Sequence, residues 1–257
     1  MSQWSRRSKQ RTISLPIFFN SISDEDRSTS IRDALDLFVR GTKAIPRILN
    51  LSCLTIKDLP APRIVSAIQK VETADFSSRI EETKYWQETS EFVLNLEGNL
   101  LGTIPDEIFE APSIVGILLR SNRLATLPSR ISSLFRLRTL TLANNPIEYL
   151  PVEVRGLKLS NFTITGTCFL SAEEMAARNA AIAFTSRGLE ELCLRSLDSS
   201  PDSPRMLPGY ERCSICKKQS HNYQIFFKSL PFRGTEMPFA ITLCSSACLE
   251  DCLRSEL

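Results

Sequence analysis

Apolar and polar positions alternate in a repeated pattern through the middle of the chain. Three segments align without gaps: EFVLNLEGNLLGTIP at 91–105, IVGILLRSNRLATLP at 114–128 and LRTLTLANNPIEYLP at 137–151. The asparagine and the closing proline recur every 23 residues in this alignment. Apolar residues separated by one residue predict a short strand with one buried face, and a repeat of this length predicts stacked units that share a core.

Each unit follows the pattern L-x-L-x-x-N-x-L-x-x-[LI]-P. The asparagine turns the chain, and its amide can bond to backbone groups that the turn leaves unpaired. The proline suits the return segment, because that segment needs no N–H for a sheet. The inward positions in this register are Leu94, Leu96, Leu101, Ile117, Leu119, Leu124, Leu140, Leu142 and Ile147.

This unit resembles the intracellular leucine-rich repeat. The resemblance implies an α/β fold, a leucine-rich repeat solenoid with parallel strands on the concave face. It also implies that Asn99, Asn122 and Asn145 stack into a ladder. Weaker coils are predicted at 49–60, around 68–78 and at 159–169, which makes about six coils in all.

Two families share finer motifs with the chain. Residues 33–151 resemble the N-terminal repeats of the leucine-rich-repeat-containing protein 40 family and its fungal relatives, through ILNLSCLTIKDLP (48–60) and YWQETSEFVLNLEGN (85–99). Residues 189–248 resemble the tail of the leucine-rich-repeat-containing protein 58 family, through LEELCLRSL and the cysteine pairs. Such families imply adaptor or regulatory roles.

Composition changes divide the chain into six parts. Ser30 and Asp33 predict the start of a capping helix, and Ser171 with Glu174 has the spacing of a capping box. The parts are a disordered basic tail (1–29), an N-terminal capping helix (30–45), leucine-rich repeats (46–170), C-terminal capping helices (171–195), a Ser/Pro linker (196–206) and a cysteine module (207–257).

The last part has two closely spaced cysteine pairs. Cys213, Cys216, Cys244 and Cys248 can place four thiolates around one Zn²⁺, as in a small zinc-knuckle-like or treble-clef-like module. Roughly 45 residues have too little core to fold comfortably alone, so a structural metal is physically reasonable.

Other interpretations of the cysteines stay open. The four thiols can instead be buried packing groups or form a disulfide, and Cys252 or His221 can replace one ligand. A RING-type site needs about eight ligands in series, more than this segment has. The single residues Cys53, Cys168 and Cys193 are interpreted as packing residues.

Composition narrows the function classes. The net charge of +2 gives no reason to expect strong attraction to nucleic acid, and no apolar run reaches the roughly 20 residues that span a bilayer. The N-terminus is a poor signal peptide, so we expect a cytoplasmic protein, with the nucleus as a second location. One histidine, no phosphate-binding glycine loop and no zinc-protease motif favour a protein without catalysis.

We therefore expect a monomeric adaptor or scaffold that binds a protein partner on the concave repeat face. Arg120 and Leu118 are the expected anchors, because arginine and apolar groups concentrate binding energy. The alternative is a nuclear protein whose zinc module associates with nucleic acid. The candidate partner-binding residues are Asn95, Glu97, Leu118, Arg120, Ser121, Thr139, Thr141 and Thr163.

Overall fold

The computed structural model describes residues 23–41, 46–80, 90–182, 211–220 and 223–255, with the backbone alone for 75–80. Its main element is a parallel sheet of five strands in the order β1-β2-β3-β4-β6. These strands are β1 (Arg47–Asn50), β2 (Phe92–Asn95), β3 (Ile114–Leu118), β4 (Thr139–Thr141) and β6 (Asn161–Thr163). The described helices are α1 (Asp24–Arg40), α2 (Ala61–Ile80), α3 (Ala172–Ala180) and α4 (Ser246–Arg254).

One face of this sheet forms the core. Leu94 of β2 lies beside Ile117 of β3, which lies beside Leu140 of β4. The next inward row contains Leu96, Leu119 and Leu142. All six side chains are at most 2% exposed, because alternate residues of a strand point to the same side. The predicted register of the three aligned repeats is therefore confirmed.

The asparagines join neighbouring strands along one edge, as predicted. The Asn122 amide donates to the carbonyl oxygens of Leu96 (2.9 Å) and Leu119 (3.0 Å) and accepts from the N–H of Leu101 (3.1 Å). Asn99 and Asn145 bond in the same way. Each amide therefore satisfies buried backbone groups that the turn cannot pair internally.

The residue before each asparagine position has a left-handed backbone. The φ angles of these residues lie between 57° and 69° at Cys53, Gly98, Ser121, Asn144 and Gly166. At Gly98 a Cβ atom would lie 2.8 Å from the Sγ of Cys53, so this glycine is also required by a close approach.

The return segments contain short 3-10 helices at Asp106–Glu110, Ser129–Ser133 and Val152–Gly156. The repeat prolines, Pro105, Pro128 and Pro151, occupy the N-cap positions of these short helices.

Strands β1 and β2 pair directly, with no strand between them, so the prediction of a weak coil around 68–78 is wrong. That stretch belongs to α2, whose buried Ile64, Ile68 and Val71 have helical spacing.

The first helix begins earlier than predicted. Ser23, and not Ser30, is the N-cap of α1, and its hydroxyl accepts from the N–H of Asp26. The acidic first turn that follows favours a helix N-terminus, so residues 24–29 are helical and do not belong to a disordered tail. Residues 1–22 and 42–45 lie outside the described residues.

At the other end, α3 begins with the predicted capping box of Ser171 and Glu174. The rest of the segment predicted to form C-terminal capping helices (171–195) and the predicted Ser/Pro linker (196–206) fall within 183–210, outside the described residues. The remaining strands are β5 (Leu150–Pro151), β7 (Glu211–Arg212), β8 (Gln219–Ser220), β9 (Gln224–Phe232) and β10 (Thr235–Leu243).

The cysteine segment packs directly against the last repeats. Strands β9 and β10 form an antiparallel hairpin, and β10 also pairs in parallel with β5. The buried residues of this hairpin and of the repeats belong to one continuous hydrophobic core. The cysteine module is therefore not packed separately from the repeats, because the two parts share a sheet and a core. The predicted linker itself lies outside the described residues.

Candidate metal centre and outer sheet face

The first cysteine pair lies in a tight turn between β7 and β8. The N–H of Cys213 donates to the carbonyl oxygen of Lys218 (2.9 Å), and the N–H of Lys217 donates to that of Cys213 (3.0 Å). Lys217 has a left-handed backbone with φ of 62°. This turn brings Cys213 and Cys216 to one side.

The second pair lies where β10 leads into α4. Cys244 directly follows β10, and Ser245 caps the helix by accepting from the N–H of Cys248 (3.3 Å). Only Cys244 and Ser245 separate the end of the strand from the start of the helix, so both thiols face the turn between β7 and β8.

The four sulfur atoms all lie within 4.8 Å of one another. The Sγ atoms of Cys216 and Cys244 are 3.5 Å apart, and those of Cys244 and Cys248 are 3.7 Å apart. A tetrahedron with metal–sulfur bonds of about 2.3 Å has edges of about 3.8 Å. A disulfide requires about 2.05 Å, so these thiols are free. The predicted convergence of Cys213, Cys216, Cys244 and Cys248 is confirmed.

The surroundings of the thiols suit a bound cation. Cys213, Cys244 and Cys248 are buried, and Cys216 is the most accessible of the four. Without a cation, the neighbouring thiols of Cys216 and Cys244, together with burial, raise the pKa of Cys213. Burial likewise raises the pKa of Cys248. Four close thiolates would repel one another, and a divalent metal removes that repulsion.

The other cysteines are placed differently. Cys252 is fully buried one turn further along α4 and lies outside the group of four. Cys53 and Cys168 are exposed, so their interpretation as packing residues is wrong. His221 and Cys193 lie outside the described residues.

We define the outer sheet face as the positions of the five parallel strands that point away from the core, with the residues that follow them. Among these positions, only Glu97 and Arg120 are charged. The positions form three rows across the sheet: first Ile48, Val93, Gly116, Thr139 and Asn161; then Asn50, Asn95, Leu118, Thr141 and Thr163; and last Ser52, Glu97, Arg120, Ala143 and Thr165, followed by Ser121 at the turn.

The structure brings the candidate partner-binding residues together on this face. Asn95, Glu97, Leu118, Thr139, Thr141 and Thr163 are partly exposed, and Arg120 and Ser121 are exposed. Some also have local structural bonds: Asn95 accepts from the N–H of Glu97 (3.1 Å). The sequence interpretation missed Ile48, which is 60% exposed beside Val93 and extends the apolar part of the face.

Sequence comparisons with known proteins do not identify a family for this chain. No protein-family model matches the chain, and no curated protein is similar to it. The resemblance to the families of leucine-rich-repeat-containing proteins 40 and 58 therefore rests on sequence motifs alone.

Among solved structures, a leucine-rich repeat protein of Leptospira interrogans is similar over 49% of this chain and 32% of its own length, with 19% sequence identity and a TM-score of 0.32. The chain thus spans about a third of that structure. With so low a TM-score, this likeness carries no argument about function.

Among the described helices, none has the length and apolar content that crossing a bilayer requires.

Proposed function

We propose that the chain is a leucine-rich repeat solenoid that binds a protein partner on the outer sheet face and carries out no catalysis. The observation behind this proposal is the side-by-side display of outward residues from five parallel strands. Threonine and serine leave the backbone accessible there, while Leu118 and Arg120 project from the central strand and its end. Within the described residues, the Arg120 side chain has no ion-pair partner and is available to another protein.

A charge reversal at Arg120 tests this role. We expect Arg120→Glu to weaken partner capture without lowering the thermal midpoint, because exposed substitutions usually change stability by about 0.5 kcal/mol or less. Arg123→Glu is the matched control, since Arg123 is exposed but lies beyond the asparagine turn, away from the strand. The measurement is quantitative mass spectrometry of proteins purified with each variant. Equal capture by both variants would contradict the proposal.

We further propose that Cys213, Cys216, Cys244 and Cys248 bind one structural Zn²⁺ as thiolates. The tetrahedral spacing of the sulfur atoms supports this, and thiolate ligands favour zinc over hard cations such as Mg²⁺. A site with four protein ligands has no open position for substrate, so its role is structural.

Elemental analysis of the purified chain tests the metal. We expect about one zinc per chain, and a value near zero in a Cys213→Ser, Cys244→Ser double variant. A Cys53→Ser, Cys168→Ser double variant removes two exposed thiols outside the cluster and should keep the metal. A zinc-free wild-type protein that stays folded would rule out this centre.

The nucleic-acid alternative has weaker support. The basic cluster near the cysteines consists of Arg212, Lys217 and Lys218. Two of the three are already bonded to backbone: Lys217 donates to the carbonyl oxygen of Ser214 (2.6 Å), and Arg212 to that of Lys217 (3.4 Å). We therefore favour a cytoplasmic or nuclear protein-binding role over nucleic-acid binding.

A further inference from the structure

We infer that the metal centre clamps the cysteine segment onto the last repeats, so that metal occupancy controls the order of the C-terminal end of the outer sheet face. This inference rests on the proposed zinc centre and adds a regulatory role to it. The link that transmits the effect is a part-buried hydrogen bond between the metal-binding turn (213–216) and the short helix Val152–Gly156, which follows the third aligned repeat.

Ser214 makes this contact. It lies between the ligands Cys213 and Cys216 and is only 3% exposed. Its hydroxyl donates to the Glu153 carboxylate (2.7 Å) and accepts from the N–H of Thr242 (3.0 Å), while its own N–H donates to the carbonyl oxygen of Thr242 (2.7 Å). One residue thus joins the first cysteine pair both to β10 and to the repeats.

Glu153 connects this bond to the repeat sheet. It belongs to the short helix Val152–Gly156, which directly follows β5. Strand β5 pairs with β10 through Leu150 opposite Phe239 and Pro151 opposite Ala240. Among the described residues, the Glu153 carboxylate has its side-chain hydrogen bond with Ser214 of the metal-binding turn. The backbone next to Glu153 pairs with β10, the strand that leads to Cys244.

Aromatic packing carries the connection to β6. Phe232 contacts Phe239 of the hairpin, with ring centroids 5.9 Å apart, and Phe162 of β6, with centroids 5.4 Å apart. Arg233 also donates to the carbonyl oxygen of Leu159, just before β6. Thr163 follows Phe162 and points to the outer face, so the hairpin supports the last strand of that face from inside.

A metal is needed for this clamp because the two cysteine pairs come from separate elements. Strands β7 and β8 have two residues each, and such a short hairpin is at most marginally stable alone. Four metal–sulfur bonds hold this hairpin against β10 and α4. Once these bonds are lost, Ser214 is no longer fixed opposite Glu153, and the cysteine segment no longer packs firmly against the last repeats.

Hydrogen–deuterium exchange of the full chain, before and after removal of metal by a chelator, tests the inference. We expect exchange of the amides in 150–163 to accelerate at least about tenfold, whereas exchange in 92–101 stays nearly constant as an internal control. Metal content is measured on the same samples. A chain that never binds metal contradicts the zinc proposal itself, whereas bound metal whose removal leaves 150–163 unchanged overturns the clamp alone.

Glu153→Ala tests the transmitting contact without touching a ligand. It should keep one metal per chain but accelerate exchange in 150–163 in the metal-bound protein, so that chelation adds little more. Glu107→Ala is the matched control, because Glu107 has the same position in the first aligned repeat and is exposed. If both variants behaved like the wild type, the Ser214–Glu153 contact would not transmit the effect and the inference would be overturned.

Discussion

Replacement of Asn122 by alanine should destabilise the chain more than its small change in volume suggests. The amide of Asn122 makes three bonds of 3.1 Å or less to the backbone of Leu96, Leu101 and Leu119. All three backbone groups belong to buried residues, where water cannot replace the lost partner. At roughly 1 kcal/mol for each bond, the expected loss is about 3 kcal/mol, and the cost of leaving buried groups unpaired can raise it further.

Urea unfolding of the purified chain measures this loss as a lower midpoint at an unchanged slope. Asn95→Ala is the matched control: it removes the same side chain from a neighbouring strand, where the amide oxygen accepts one local bond from Glu97. We expect the control to cost at most about 1 kcal/mol. If the two variants lost equal stability, or if Asn122→Ala lost less than about 1 kcal/mol, the asparagine ladder would not be a major source of stability.

Three further substitutions test other parts of the fold by the same unfolding measurement. Leu119→Ala should cost about 2–5 kcal/mol as a core cavity, whereas Leu118→Ala, its partly exposed neighbour, should cost much less; a reversed order would contradict the register. Ser171→Ala should cost about 0.5–2 kcal/mol, because it removes the N-cap bond of α3. Asn179→Ala should cost about 1–3 kcal/mol, because the Asn179 amide accepts from the N–H of Phe227 (2.8 Å) and donates to its carbonyl oxygen (2.7 Å) at the open edge of β9. If no stability were lost, water would be replacing the amide at that edge.

The repeat sheet could be predicted because its determinants are local and periodic. Each strand has its own pair of alternating apolar residues, and each turn has its own asparagine, as at Leu94, Leu96 and Asn99. The connection between β1 and β2 does not follow the 23-residue repeat, and the predicted coil there is wrong. Ile64, Ile68 and Val71 of α2 have helical spacing, which was the available signal that one long helix replaces a coil.

The metal ligands could also be predicted, since cysteine spacing is itself the signal of such a site. The packing of that site against the repeats could not. The pairing of β5 with β10 involves only two residues of each strand, and neither stretch has a pattern that specifies the other. Ser214 likewise has no distinguishing sequence feature, although it binds both Thr242 and Glu153. Contacts of this kind depend on surfaces that exist only after folding.

The pairing of Leu150 with Phe239 also has a consequence for the order of folding. Neighbouring strands of the repeat sheet are close in sequence, so the central repeats can form as the chain leaves the ribosome. Strand β5 must wait for a partner that lies roughly ninety residues later, which at ordinary rates of synthesis is a delay on the order of 10 s. During that interval Leu150 and the other apolar residues at the end of the third aligned repeat lack the hairpin that pairs with them. We expect this newly made surface to be the part of the chain most exposed to chaperone binding and to aggregation.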